Sequence, residues 1–294
     1  MSLRKEKFFS LAALEFEGYS YEELKTLWRK TLQAGMHGMC FSPYVEGQEP
    51  GDTLSEQQIR RRLEIIKPYT NWVRSFSCTE GNELIPEIAK EMGMKTLVGA
   101  WLGDNPEMNE AEIEGLINLA KKDCVDIAGV GNEVMYRGDL TEEELLQFIY
   151  DTKKDLNGIP VGYVDAYYEF IERPEITEAC DVILANCYPF WEGCDQDYSL
   201  LYVKDMYNRA LRAANGKKVI ITETGWPNNG TSLEGAYPSN TNAIKYFINT
   251  QRWAQEEDIE IFYFSSFDES WKVGSEGDVG AYWGLWDKHE QFKF

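Results

Sequence analysis

The chain has 294 residues, and 50 Asp plus Glu against 29 Lys plus Arg leave a net charge of −21. That acidity argues against a general nucleic-acid or anionic-membrane binder, which gains affinity from clustered cations. At 43% hydrophobic and 14% aromatic content the chain is too apolar to be disordered and long enough to bury a large core. No apolar stretch reaches the roughly eighteen residues that a membrane span needs. Only two histidines occur, His37 and His289, which excludes a three-histidine metal site. The six cysteines contain no C-x-x-C pair and are spread along the chain, so they read as buried thiols rather than a zinc site or disulfide scaffold.

Residues 8–14 (FFSLAAL) faintly resemble a signal peptide, but Glu15 and Glu17 follow where small residues would mark cleavage. The expectation is a chain that stays in the cell, or a mature form whose leader is already gone. Next, residues 20–34 read as a helix. Eight β-rich runs then alternate with amphipathic stretches: 38–43, 72–77, 96–102, 126–133, 160–165, 182–188, 218–226 and 260–268. Their ends are 23 to 45 residues apart, the length of a βα unit, and such alternation indicates a parallel sheet. Leu54-Ser55-Glu56-Gln57 opens one intervening helix, Thr141 to Glu144 forms a capping box before another, and Pro238-Ser239 precedes a third. No linker or low-complexity tract divides the chain. The reading is one α/β domain over 1–294, a single (β/α)₈ TIM barrel. Only 26 residues follow the last run, rich in Gly and Trp, so the 20–34 helix is expected to close the helical ring.

In such barrels chemistry sits at the C-terminal ends of the strands. Here those ends carry Tyr44, Arg74, Asn132-Glu133, Asp165, Tyr188, Glu223 and Glu269 with Lys272: carboxylates and aromatics converge on one mouth. Two carboxylates on opposite sides of a barrel suit cleavage of a glycosidic bond, in which one protonates the leaving oxygen and the other attacks or stabilises the anomeric carbon. Glu133 and Glu223, closing the fourth and seventh apolar runs, fit that pattern together far better than either would alone. Tyr188, at the end of the neighbouring strand, is placed to donate to Glu223.

The segments VGNEV (130–134), TETGWP (222–227), DESWK (268–272) and YWGLWD (282–287) together resemble glycoside hydrolase family 17, the β-1,3-glucanases and related transglycosylases. FSPYVEGQEPG (41–51) and VRSFSCTEGN (73–82) look like the first- and second-strand signatures of its bacterial and fungal branch. The resemblance runs from about residue 38 to 287. It implies that Glu133 is the general acid/base and Glu223 the nucleophile of a retaining mechanism. The carboxyls would then lie about 5–5.5 Å apart. It further implies that Asn132 binds the sugar 2-hydroxyl and that Glu269 and Lys272 orient sugar or nucleophile. Neither metal nor cofactor is called for, since protonation and carboxylate attack suffice.

Tyr44, Arg74, Asp165, Trp191, Trp226 and Trp271 are the candidates for substrate contact. Trp28 and Trp253, on helical stretches, read as core. Trp283 and Trp286 fit either stacking on sugar or bracing of the C-terminal tail. Two departures stand out. Glu46 is acidic where the bacterial signature often carries a basic residue, and the 189–198 loop is short, which implies an open cleft with few subsites. The expected substrate is a β-1,3-glucan or gluco-oligosaccharide, resolved by water or by another sugar. Oligomeric state is left open. A non-catalytic glucan-binding barrel and a phosphometabolite barrel are the rivals, the latter disfavoured by the missing phosphate-binding glycine loop.

Overall fold

A computed structural model describes residues 16–274 and 276–294. The signal-like 8–14 stretch lies outside the described residues. Eight parallel strands close into a barrel in the order β1 to β8: β1 (Met36–Cys40), β2 (Thr70–Ser75), β3 (Lys95–Ala100), β4 (Ile127–Asn132), β5 (Val161–Ala166), β6 (Val182–Asn186), β7 (Lys218–Thr224) and β8 (Ile261–Tyr263). The helices are α1 (Tyr21–Gln33), α2 (Glu56–Ile66), α3 (Leu84–Glu91), α4 (Pro106–Lys121), α5 (Val134–Arg137), α6 (Glu142–Asp155), α7 (Glu169–Glu172), α8 (Pro174–Ala179), α9 (Ser199–Ala213) and α10 (Asn240–Glu257).

The strands are continuously apolar because a parallel barrel strand is covered on both faces, by the interior and by the helices. Every residue of β4 and of β6 is buried. Helix starts follow the local capping chemistry. Ser20 and Thr141 each accept from the backbone three residues on, while Glu23 and Glu144 return the bond. Ser55 and Ser239 cap α2 and α10 through single side-chain bonds. The first helix packs on α10: Trp28 is fully buried, its ring 5.7 Å from Phe247 and 5.3 Å edge-on from Phe294. Arg29 holds the carbonyl of Phe294. Helix α1 and the final residue thus share one packing cluster.

The last strand is shorter than its apolar run. Past Tyr263, Ser266 N–H still bonds to the Cys40 carbonyl, but Ser265 N–H turns to Trp283, and Leu285 and Trp286 donate back to Ser265 and Ser266. The tail therefore takes up backbone groups that a longer β8 would have given to its neighbours. Trp286 lies in this lid, stacked on Phe292 and tilted against Phe267. All six cysteines are free and buried. Among the described residues, no helix is long and apolar enough to cross a membrane.

Candidate active site

The three strands that supply the carboxylate cluster all slip register near their C-terminal ends: β4–β5 between Gly129 and Asn132, β6–β7 between Ala185 and Asn186, and β7–β8 between Ile221 and Thr224. Such irregularities re-aim side chains at strand ends. At β4 the effect is sharpest. Gly131 takes φ +82°, and Glu133 itself sits in the left-handed region at φ 52°. A Cβ at Gly131 would lie 2.9 Å from Val134 Cγ2, so glycine is required two residues before the glutamate. Left-handed backbone at a non-glycine residue is uncommon and clusters at functional sites. Gly225, after β7, is equally constrained: a Cβ there would lie 2.1 Å from the Phe264 carbonyl oxygen.

The turn brings Glu133 into contact with β6. Asn186 Nδ2 donates to Glu133 Oε1 at 2.9 Å, and Asn186 Oδ1 in turn accepts from the Thr222 hydroxyl. Glu223 is held from two sides. Arg74 Nη1 donates to its Oε1 at 2.6 Å and the Tyr188 hydroxyl to its Oε2 at 2.7 Å. The second Arg74 amine bonds Asn132 Oδ1, also at 2.6 Å. A single guanidinium, lying 4.2 Å over the Phe76 ring, thus ties β2, β4 and β7 together.

The two glutamates occupy different environments. Burial, reinforced by the charge of Glu223, pushes the Glu133 carboxyl up from 4.5 to about 7, with the Asn186 hydrogen bond opposing. Glu223 has a buried cation and a phenol as partners. Burial and the adjacent Glu223 charge hold the Tyr188 phenol well above its usual range, so it remains a donor.

Beside them lie Glu269 and Lys272. Burial raises the Glu269 carboxyl against the pull of Lys272 and of Trp271 Nε1, which donates to it at 3.3 Å. Burial pulls the Lys272 ammonium down, but Glu276, Glu269 and Glu223 together keep it above its ordinary value. The ammonium stands 3.4 Å from Glu276 and 4.3 Å over the Phe264 ring. Among the described residues, no three His, Cys, Asp or Glu side chains gather as metal ligands would.

The proposed contact residues divide sharply. Trp191 keeps 40% of its surface exposed at the mouth. Its ring tilts onto Trp283, which packs edge-on against Tyr188, so a run of aromatic rings leads from open solvent to Tyr188 and its partner Glu223. Trp271 is half-buried, with Tyr44 packed edge-on against it and the Tyr44 hydroxyl held by Asn82. Three others are not free for a sugar. Trp226 is only 1% exposed, wedged between Phe190 and Tyr246, with its indole N–H on the Tyr237 carbonyl. Asp165 is fully buried and occupied by the Tyr163 hydroxyl and the backbone N–H groups of Ala166 and Tyr136. Arg74 is buried, and its two terminal amines bond Glu223, Asn132 and the Thr222 carbonyl. Each closes a strand, but its side chain is buried among protein partners.

Two participants carried little sequence signal. Asn186 ends the run VILAN; an amide closing an apolar strand is the clue it offered. Trp101, at the end of β3, is 41% exposed with the Arg137 guanidinium 4.5 Å from its ring. Arg137 also donates to the carbonyls of Asn132 and Leu102 and to Asp139, bracing the backbone just before Glu133.

The BtgE/BtgC glycoside hydrolase domain matches residues 38–284. The chain belongs to glycoside hydrolase family 17. It is 27% identical to a glucan 1,3-beta-glucosidase of Saccharomyces cerevisiae, over 83% of this chain and 86% of the relative. A glucan 1,3-beta-glucosidase of Candida albicans is 29% identical over 90% of this chain and 94% of its own. The crystal structure of the family 17 β-1,3-glucanosyltransferase from Rhizomucor miehei superposes with a TM-score of 0.79 at 28% identity, covering 89% of this chain and 96% of that one. An active-site mutant of that enzyme in complex with laminaritriose fits equally well. A Bacteroides uniformis beta-glucuronidase, at 16% identity and a TM-score of 0.67, shares the fold.

Proposed function

We propose that this barrel is a retaining β-1,3-glucan-active enzyme in which Glu133 is the acid/base and Glu223 the nucleophile. The observation that carries the reading is the contrast between the carboxyls: Glu133 stays protonated up to about 7, while Glu223 is ringed by the Arg74 guanidinium and the Tyr188 hydroxyl. Glu223 attacks the anomeric carbon as Glu133 protonates the departing glycosidic oxygen, giving a glycosyl ester on Glu223 and an ionised Glu133. Glu133 then takes a proton from the incoming hydroxyl, which displaces Glu223 and restores both groups. A pair of this kind works at about 5–5.5 Å. Asn186 links Glu133 to Thr222, the residue before Glu223.

Arg74 positions Glu223 and Asn132 as one unit, so the 2-hydroxyl contact of Asn132 and the nucleophile move together. Glu269 and Lys272 line the same mouth, and Trp191 and Trp271 offer the stacking faces. The whole chain acts as one catalytic domain, with α1 closing the helical ring beside α10. Resolution of the ester by a second sugar is favoured over water if acceptors bind well on the open Trp191 surface. The likeness to the Rhizomucor miehei glucanosyltransferase supports that outcome.

Incubation with laminari-oligosaccharides separates the two fates: products longer than the substrate mean transfer, shorter ones alone mean hydrolysis. The assignment of roles is tested with Glu133→Gln. General acid assistance contributes roughly 10²–10⁴-fold, so this variant should lose that much on natural glucans and far less on a dinitrophenyl glycoside, whose leaving group needs no proton. Equal losses on both substrates would sink the assignment.

A further inference from the structure

An open groove of about 890 Å³ lies outside the carboxylate cluster. It runs along the rim of the barrel between the first residues of α1 and α10, and its other wall is the C-terminal tail. Tyr21, Tyr282 and Phe292 present rings to it; Asn228, Asn229, Asn240 and Thr241 present amides and a hydroxyl. We propose that this groove is a second binding site for a neutral glucan chain, separate from the catalytic mouth; this rests on the glucan-active reading above.

The segment after β8 divides the two sites. Successive residues of an extended chain point to opposite sides. Glu269 joins Trp271 on the catalytic side, whereas Asp268 turns to the groove, where Lys293 Nζ donates to its Oδ1 at 2.8 Å. None of the groove residues bonds to Glu133, Glu223, Asn132 or Arg74.

Its chemistry selects the ligand class. Lys293, the lysine of the lining, is already neutralised by Asp268, and Asp287 adds a second carboxylate, so an anion finds no net attraction. What is left is a wall of amides between exposed aromatic faces, with Tyr21 and Phe292 both open to solvent. Rings of this kind cover the apolar C–H faces of a sugar, and amides match its hydroxyls in both directions. The wall holds unused capacity as well. Asn228 donates to Asn240, yet its Oδ1 is buried with no partner among the described residues. Lys293 spends bonds on Asp268 and the Tyr282 carbonyl, and an ammonium has three to give. Unpaired buried polar atoms in a native wall call for a partner, and a volume near the upper end for small-molecule sites accommodates an oligosaccharide rather than a single sugar. A polymer held there raises the local concentration of its own chain at the mouth.

Laminarihexaose titrated calorimetrically into Glu223→Gln, which binds without turnover, should show two sites per chain. Adding Tyr21→Ala and Asn228→Ala should remove one site and leave the other. In the chain with an intact Glu223, the same double substitution should raise KM for laminarin about ten-fold and leave kcat and KM for laminaritriose unchanged. Should the double variant melt early, Asn229→Trp, which fills the groove from an exposed position, gives the same readout. One site per chain, or unchanged laminarin kinetics in a folded groove variant, overturns the second site alone. A parent enzyme that neither binds nor turns over any β-1,3-glucan overturns the glucan-active reading with it.

Discussion

Glu133→Gln should make the protein more stable at pH 8, not less. The Glu133 carboxyl is pushed from 4.5 to about 7 because burial and the Glu223 charge both oppose its ionisation. Between those values the folded state holds a proton that the unfolded chain has released, so stability falls as pH rises from 4.5 to 7. At 1.36 kcal/mol per pKa unit, the 2.5-unit difference corresponds to about 3 kcal/mol lost by pH 8. Glutamine cannot ionise, and its carbonyl oxygen can still accept the Asn186 amide. Wild type and variant should therefore unfold alike in urea at pH 4, while at pH 8 the variant gains up to about 3 kcal/mol. Such a gain is the usual stability cost of a functional site, as the proposed acid role of Glu133 requires. A variant equal to or weaker than wild type at pH 8 would show that Glu133 is not held protonated by its surroundings, and the acid role would go with it.

Turnover should decline as pH rises through about 7, as Glu133 loses the proton it must donate, and in Glu223→Gln the Glu133 carboxyl, followed by carbon-13 NMR, should titrate lower. Arg74→Met leaves the buried Glu223 charge without its ion-pair partner, so it should cost roughly 3–5 kcal/mol of stability and reduce kcat; Asn132→Ala should reduce kcat and, by leaving the buried Arg74 amine without its acceptor, cost roughly 1–3 kcal/mol. Trp226→Ala should cost about 3–5 kcal/mol without a selective rise in KM, the opposite of Trp191→Ala, which should raise KM for laminarin at nearly unchanged Tm. A KM effect at Trp226 in a fully folded sample would restore it as a sugar contact.

The barrel was legible because its strands are long apolar runs and its helices open on capping motifs that act within four residues. Ser55, Thr141 and Ser239 all cap where the sequence indicates, and Ser20, read as the first helical residue, is the cap of α1. The glutamates were legible for a different reason: each ends an apolar strand, and residues at strand ends reach one mouth whatever the tilt of the barrel. What could not be read is which way each end faces. Arg74, Asp165 and Trp226 end strands just as Glu133 and Glu223 do, yet all three are buried and engaged by protein partners: Arg74 by Glu223 and Asn132, Asp165 by Tyr163 and the Tyr136 backbone, Trp226 by Phe190 and Tyr246. Asn186 was legible as a strand end but not in its role, since bridging Glu133 and Thr222 depends on β4, β6 and β7 meeting at the barrel mouth. The shortness of β8 likewise depends on the tail returning to claim Ser265 and Ser266.

The most direct test of the carboxylate pair is to trap the intermediate. A 2-deoxy-2-fluoro laminaribioside with a dinitrophenyl leaving group slows both steps and lets the glycosyl ester accumulate. After peptic digestion, mass spectrometry should find the added disaccharide on the peptide containing Glu223, and none in Glu223→Gln. An adduct on another residue, or β-glucan cleavage that releases the inverted anomer with no adduct, would contradict the retaining Glu133–Glu223 mechanism.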